Sequence, residues 1–426
     1  MRQGSRRTMA IVLSLVLALS ISGAALAQEK TTITFGVPWG LDVFGGVLLE
    51  LVDAYNAQSQ TVQVQIESGW GTDKLLVAAA GGTGPDVVGF GGPSLVRQFG
   101  EEVLRPVDAM IDRYGIELNR FLPDSVTQIQ GRTYGIKMFV DPNFPLIYNE
   151  TLLQEAGIAE PPRSIPELDE LNPKLTRRLG DGQVERLGML PWNLGEDHLF
   201  QSWGPAFGAT RIWDGDENSG RYNFTTPEWQ ATFAWIADYF QRQLPDIGIW
   251  GDVAWWQLDW FIDGRVVMGY HVSPTLTRLK QATPYNWKAA PPVSNPGGAE
   301  LPVWFGGFSF GVGKFTTNED AAFDFLEFIT WNDRGSEIIG RTGLIAAYQG
   351  AAGFDVLLQN DPEWTEFLSV LPRAFGNFYY PIEVGWGDAA AEFVDKIRAG
   401  ASVPDALAEM ERILNAQVAE RGLLAG

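Results

Sequence analysis

The chain of 426 residues contains no cysteine and only two histidines. The first absence excludes disulfides, thiolate metal sites and cysteine nucleophiles. It also excludes a lipid-bearing cysteine behind an export signal, so no membrane anchor is expected. Two histidines without cysteine make a zinc site with the usual ligands a poor expectation. No Walker loop is present, so any work with ATP must belong to a partner. Basic residues are short too, 31 against 52 acidic ones, for a net charge of −21. Nucleic acid and anionic membrane both need basic surface and are poor partners. The plain reading of the charge is solubility, and a cationic ligand is the sharper alternative.

Long apolar runs are equally scarce. Met9 to Ile21 is one, flanked by Arg2, Arg6 and Arg7 and followed by Ala25-Leu26-Ala27. Basic start, short apolar run and small-x-small site together read as an export signal over residues 1–27, with the mature chain beginning near Gln28. Ser5-Arg6-Arg7-Thr8-Met9 matches a twin-arginine motif only in part, so the ordinary secretory route is favoured. Beyond Gln28 no stretch is long enough to cross a bilayer. The expectation is an exported protein that works as a soluble molecule, secreted, in the periplasm or at the cell surface.

What is present is a large, well-patterned body. Hydrophobic residues make up 45% of the chain, enough for a substantial core, and the length suits two lobes. Thr32-Ile33-Thr34-Phe35 reads as a strand. Val43 to Asn56 places Leu48, Leu51, Val52 and Tyr55 on one helical face. Val62 to Glu67 alternates as a half-buried strand, Asp73 to Ala80 is a helix stopped by Gly81-Gly82, and Pro85 to Phe90 is another strand. This is the α/β pattern, with a largely parallel sheet. Later come a strand at Leu146–Asn149, a short helix to Ala156, and a polar surface helix and turn between Asn172 and Arg186. Thr226-Pro227 opens a helix, and Val266–Tyr270 is a strand. A glycine-marked strand runs from Gly306 to Val312, and a helix from Asn318 to Thr330. Terminal helices start after an N-cap at Asp388. Asp214-Gly215-Asp216-Glu217-Asn218 hints at a calcium loop. Ser219 and Thr225 stand where that loop needs glycine and glutamate, so it reads as an acidic turn.

Several of these segments, in this order, resemble the extracellular solute-binding proteins of ABC importers, in the sugar-binding family that includes maltose and multiple-sugar binding proteins. The resemblance is carried by Lys74 to Val88 (helix, double glycine, Pro85-Asp86-Val87), by Leu146 to Gly157, and by Phe261 to Met268. Gly306-Gly307-Phe308 with Asn318 to Thr330, and Gly400 to Leu407, complete it. It implies an α/β, two-lobed type II periplasmic binding protein fold, with a multi-crossing hinge and the ligand cleft between the lobes. The implied N-lobe is 28–140 plus 304–348, and the implied C-lobe 141–303 plus 349–426. Crossings are expected near Val140 to Asn143, Val303 to Gly306 and Tyr348 to Gly353. It further implies a carbohydrate ligand, membrane permease subunits as partners, no cofactor and no catalysis.

Sixteen tryptophans make stacking on sugar rings a natural reading, since the apolar face of a pyranose packs on a ring while its hydroxyls bond at the edge. Trp229, Trp235, Trp331 and Trp364 sit in helical patterns and read as packing. The cluster Trp250, Trp255, Trp256 and Trp260 reads as a packed patch. Rings at strand ends are better ligand candidates: Trp39, Trp70 and Phe90, then Trp192, Trp304 and Trp386. Polar candidates are Asp42, Asp141, Asn143 and His271, and Gly306 and Gly307 would admit a close backbone approach. Asp86 reads as a strand-end anchor. The cleft loops are poor in basic residues, which argues against an acidic sugar unless Arg341 or Lys137 points inward. A polyamine binder and a secreted glycoside hydrolase are the two alternatives, the latter needing two carboxylates placed across the sugar.

Overall fold

The structure is a computed structural model that describes residues 29–143, 145–190, 203–216, 219–247, 258–299, 302, 304–375, 378, 380 and 385–424. Its first sheet contains β1 (Thr31–Gly36), β2 (Val62–Glu67), β3 (Val87–Phe90), β4 (Val126–Ile129), β5 (Arg132–Lys137) and β15 (Ser309–Val312), in the order β2-β1-β3-β15-β5-β4. β1 pairs in parallel with β2, Thr31 opposite Val62 through Gly36 opposite Glu67, and in parallel with β3. The other pairings, β15 with β3 and β5 and β4 with β5, are antiparallel. The sheet is therefore mixed, not largely parallel. The cause is β15, which returns from far along the chain and inserts against the running direction of β3.

Helices Val43–Gln58 and Glu319–Thr330 cover this sheet, burying Leu48, Leu51, Phe325 and Phe328 against Ile33 and Phe35. Asp86 anchors the strand ends. Its carboxylate accepts from Thr34 N at 2.8 Å and Thr34 Oγ1 at 3.0 Å, and from Thr316 Oγ1.

The second sheet is β13-β7-β12-β9-β8, built from β7 (Leu146–Asn149), β8 (Arg177–Arg178), β9 (Val184–Leu190), β12 (Val266–Tyr270) and β13 (Trp287–Ala290). Between Asn172 and Arg186, where a surface helix and turn are expected, the helix Ile165–Leu175 ends and β8 and β9 form a hairpin. Asn172 explains the change of structure. Its side chain accepts from Met189 N at 2.9 Å and so docks the helix end on β9. A separate hairpin pairs β10 (Trp213–Gly215) with β11 (Gly220–Tyr222). Helices Pro227–Ile247, Trp386–Arg398 and Val403–Glu420 pack together on the second sheet's side, around Trp229, Phe233, Phe393 and Met410. Trp386–Arg398 begins two residues before the expected cap Asp388, with Gly385 at the cap position.

A third, three-stranded sheet joins the two. It orders β14 (Trp304–Gly306), β6 (Phe139–Asn143) and β16 (Ile345–Ala346), with β6 in the centre. β6 and β14 lie on stretches of chain that run between the large sheets, and β16 lies between two helices of the first unit. The expected single strand Gly306–Val312 is in fact β14 and β15, broken at Gly307. That residue has a left-handed φ of 111°. A Cβ there would lie 2.3 Å from the carbonyl oxygen of Phe139. Only glycine fits both conditions. After β16 the helix Ala352–Asn360 stays with the first unit by packing on Asp333–Arg341. A Cβ on Gly340 would lie 2.3 Å from Gly353 O, so the close crossing of these helices depends on small residues. The chain reaches β13 of the second sheet only with the helix Trp364–Val370.

Candidate ligand-binding site

In open α/β sheets, ligands collect outside the carboxyl ends of the parallel strands. Here β1, β2 and β3 end together, and each end leads into a short loop. Trp39 follows β1. Its ring is half-buried and stacks on Phe308, with centroids 3.5 Å apart and planes 12° apart. Phe310 closes on it edge-on at 6.3 Å, and Phe139 packs edge-on against Phe308 at 5.4 Å. Gly89 of β3 leaves room for this cluster, since a Cβ there would meet Trp39 Cζ3 at 3.2 Å and Phe310 Cε1 at 3.0 Å. Trp39 thus bridges the end of the first sheet and the loop between β14 and β15. Asp42, exposed in the same loop, holds the N-cap position of Val43–Gln58 and makes no side-chain cap bond.

Trp70 follows β2. Its amide bonds Val37 O at 2.9 Å, which ties the second loop to the first. Its indole Nε1 donates to Glu67 Oε2 at 2.9 Å, and Lys74 Nζ sits over its ring at 3.7 Å. Gly36 admits the ring edge, Trp70 Cδ1 lying 3.0 Å from where a Cβ would be. A sugar stacking on the Lys74 side must first displace that ammonium.

Phe90 does not join these rings. It is 2% exposed and packs with Leu75, Val88, Val96 and Tyr134, because β3 is covered on that face by the helix Pro93–Val103. In this conformation it has no face to offer. His271 is also buried, at 4% exposure. Its Nδ1 bonds Val272 N at 3.0 Å and the Thr275 hydroxyl, and its ring meets Phe261 edge-on, so it caps the turn after β12. Asp141 and Asn143 lie on β6 opposite Gly306 and Trp304 of β14, so four expected contacts fall on two adjoining strands of the joint. Gly307 serves the close approach already described. Trp386 is the first residue of its helix, on the second sheet's side. Trp192 lies outside the described residues, as do Trp250, Trp255 and Trp256.

The four tryptophans expected to pack in helices do so. Trp229 and Trp364 are fully buried, Trp235 packs against Trp203, and Trp331 packs on Phe121 and Tyr348. Of the expected acidic turn, Asp214 and Gly215 fall on β10 and Asp216 accepts from Ser219 N at 2.9 Å, while Glu217 and Asn218 lie outside the described residues. Among the described residues no cluster of acids and histidines could hold a metal. Neither basic residue in question supplies a cleft cation. Arg341 pairs with Glu50 on the surface, and Lys137 is fully buried.

Sequence reasoning missed three participants. Phe308, the backing of Trp39, stands directly after the double glycine, where an aromatic at a chain crossing was the available signal. Glu67 and Lys74, the partners of Trp70, were readable only as three residues before and four residues after it. Gly307-Phe308-Ser309-Phe310-Gly311 also spells the Gly-x-Ser-x-Gly pattern of hydrolases. Ser309, however, is fully buried inside β15, not on an exposed strand-to-helix turn, and cannot act as that nucleophile.

Two α/β units joined by a three-stranded sheet, with aromatic rings at the strand ends beside the joint, are the architecture of a bilobal binding protein. The sequence agrees: residues 50–366 match the bacterial extracellular solute-binding protein family, and the chain belongs to it. A search of curated protein sequences finds no match. Among solved structures, the sugar-binding protein MalE from the phytopathogen Xanthomonas citri superposes with a TM-score of 0.77 at 21% identity, over 92% of this chain and 98% of that one. CpMnBP1 with mannotriose bound gives 0.72 at 22%, over 90% and 100%. The maltose/maltodextrin-binding domain MalE from Bdellovibrio bacteriovorus, bound to maltotriose, gives 0.67 at 20%, over 91% and 100%. At these identities the likeness establishes the fold.

Proposed function

We propose that the protein is the periplasmic substrate-binding component of an ABC importer, capturing a mono- or oligosaccharide and handing it to membrane permease subunits. The observation that carries this reading is the pair Trp39 and Trp70 at the carboxyl ends of adjacent parallel strands, beside the three-stranded joint. Rings in that position suit pyranose faces, and Asp42, Glu67 and the polar residues of β6 suit hydroxyls. Sugars bound in structures of the same fold support the ligand class. Trp192, Trp304 and Trp386 are proposed as further stacking rings. The protein does no chemistry itself; closure follows from tighter binding in the closed state. Lys74 over Trp70 disfavours a polyamine at that ring, because its own cation already stands there. No lipid anchor and a monomeric state complete the proposal.

The test is a thermal-shift screen against sugars, polyols and polyamines. Ligand at about 100 times its dissociation constant stabilises a fold by about 2.7 kcal/mol, enough to move the midpoint visibly. A shift with one sugar class supports the reading. A shift with polyamines alone replaces it, and release of reducing ends from a polysaccharide refutes it.

A further inference from the structure

Lys137 ends β5 with its side chain wholly buried, an uncommon place for an ammonium. Its Nζ donates to Phe305 O at 2.9 Å and faces Asp124 Oδ2 at 3.5 Å. Asp124 also faces Arg97. Its φ of 56° is left-handed for a non-glycine residue. Phe305 is the central residue of β14, an edge strand of the joint. Opposite it on β6 stands Pro142, and an antiparallel ladder of three pairs with proline at its centre bonds through the two outer pairs, so the Phe305 carbonyl turns away from β6. The ammonium meets that carbonyl from the first sheet. Burial pushes Lys137 down from its ordinary range while Asp124 pushes it back up. Removing the Lys137 side chain would take away the donor to the buried Phe305 carbonyl and one of the two basic groups that face Asp124.

We propose that Lys137 is a positioning residue of the binding site: it fastens the joint strand β14 to the first sheet at Phe305. Two consequences follow from the geometry. First, Phe308 lies three residues beyond the fastened carbonyl and backs Trp39, so the strut holds the Trp39 platform in place. Second, Gly306 and Gly307 are not the swivel of the joint, although a glycine pair at a crossing suggests one. Phe305 is tied on one side of them, β15 is in the sheet on the other, and Gly307 is wedged against Phe139 O. The turning point lies on the second sheet's side of Phe305.

This inference rests on the two-lobed, closing reading, but its test uses ligand-free protein, so a silent sugar panel leaves it intact. The absence of native cysteine allows clean spin labelling of V77C and L179C. Val77 is 75% exposed on the first unit, and Leu179 is 47% exposed in the β8–β9 hairpin of the second. Lys137→Met should broaden the interlobe distance distribution relative to the unsubstituted protein. It should also speed hydrogen exchange of the Phe305 to Phe308 amides about tenfold or more, as expected for a lost hydrogen bond to a charge, while β1 and β2 amides stay slow. Asp124→Asn, which keeps the ammonium and weakens its counter-charge, should move both readouts the same way by less. A variant that melts earlier with unchanged distances and unchanged exchange at Phe305 to Phe308 overturns the proposal and leaves Lys137 a packing residue. Should Lys137→Met fail to fold, Asp124→Asn decides alone, and distances and exchange equal to the parent's overturn it.

Discussion

The Lys74 ammonium over Trp70 makes the first prediction about affinity. If Trp70 is a sugar platform, ligand and ammonium compete for one ring face. At 3.7 Å from the centroid the contact is close. Lys74 is exposed, however, and an exposed cation–π contact is worth about 0.5–1 kcal/mol. Removing the competitor should return that amount to binding, which is about a two- to fivefold tighter dissociation constant. Lys74→Met is the suitable change, because it keeps a flexible apolar stem of similar length and deletes only the charge. Trp70→Ala is its companion and should weaken binding. Isothermal titration with the sugar that gives the largest thermal shift measures both, and the double variant should bind like Trp70→Ala, since without the ring there is nothing to unblock. Weaker binding by Lys74→Met would mean that Lys74 donates to the sugar instead of blocking the ring. Unchanged binding by Trp70→Ala would remove this ring from the site.

Four further outcomes are expected. Trp39 and Phe308 form a stacked pair. A double-mutant cycle of Trp39→Ala and Phe308→Ala, read by chemical denaturation, should give a coupling of about 0.5 to about 1.5 kcal/mol. Gly307→Ala should destabilise the fold by about 1–3 kcal/mol or more, since it combines a left-handed backbone with a Cβ against Phe139 O; a midpoint within error of the parent's would contradict the wedge. Asp361→Asn should cost about 3 kcal/mol in a denaturant melt, at the low end for a buried pair. The Asp361 carboxylate bonds Lys280 at 2.8 Å. Asp361 is 2% exposed, but Lys280 keeps Glu363 as a partner. Glu327→Gln should stabilise the protein at pH 7 and leave it unchanged near pH 3. Burial, with Asp324 and Asp333 nearby, raises this carboxyl above its ordinary 4.5. Its favourable contribution is therefore complete below that ordinary value and is lost as pH rises through the folded one. Equal melting-point differences at both pH values would refute the assignment.

Elements held by local pattern were legible from sequence. β7 and β12 fall where their apolar runs predict, and Thr226-Pro227 opens its helix as capping chemistry requires. What sequence could not show was direction and depth. Nothing local in Ser309 to Val312 says that this strand enters antiparallel between β3 and β5; that follows from where a distant segment finds an open edge. Phe90 and Trp39 stand in similar places, each at the end of a strand and next to a glycine. The helix Pro93–Val103 covers one and leaves the other half open, and only tertiary packing decides which. The Lys137 donor at the Phe305 carbonyl is likewise a contact across 168 positions of sequence.

These contacts bear on how capture proceeds. Trp39 is clamped by Phe308 and Phe310, and the Trp70 loop is tied to Val37 O, so the rings of the first unit are in place before any ligand arrives. If these rings are the proposed half-site, their prearrangement avoids the ordering cost that a floppy one would incur and lets it hold ligand before closure. The second unit then needs only to contribute contacts that exist in the closed state, because those alone shift the equilibrium between open and closed forms. A substitution in the first half-site should therefore weaken binding in open and closed forms alike. If Trp386 supplies the ring proposed for it, its substitution should leave initial capture intact and instead speed release, a split that stopped-flow rates would resolve.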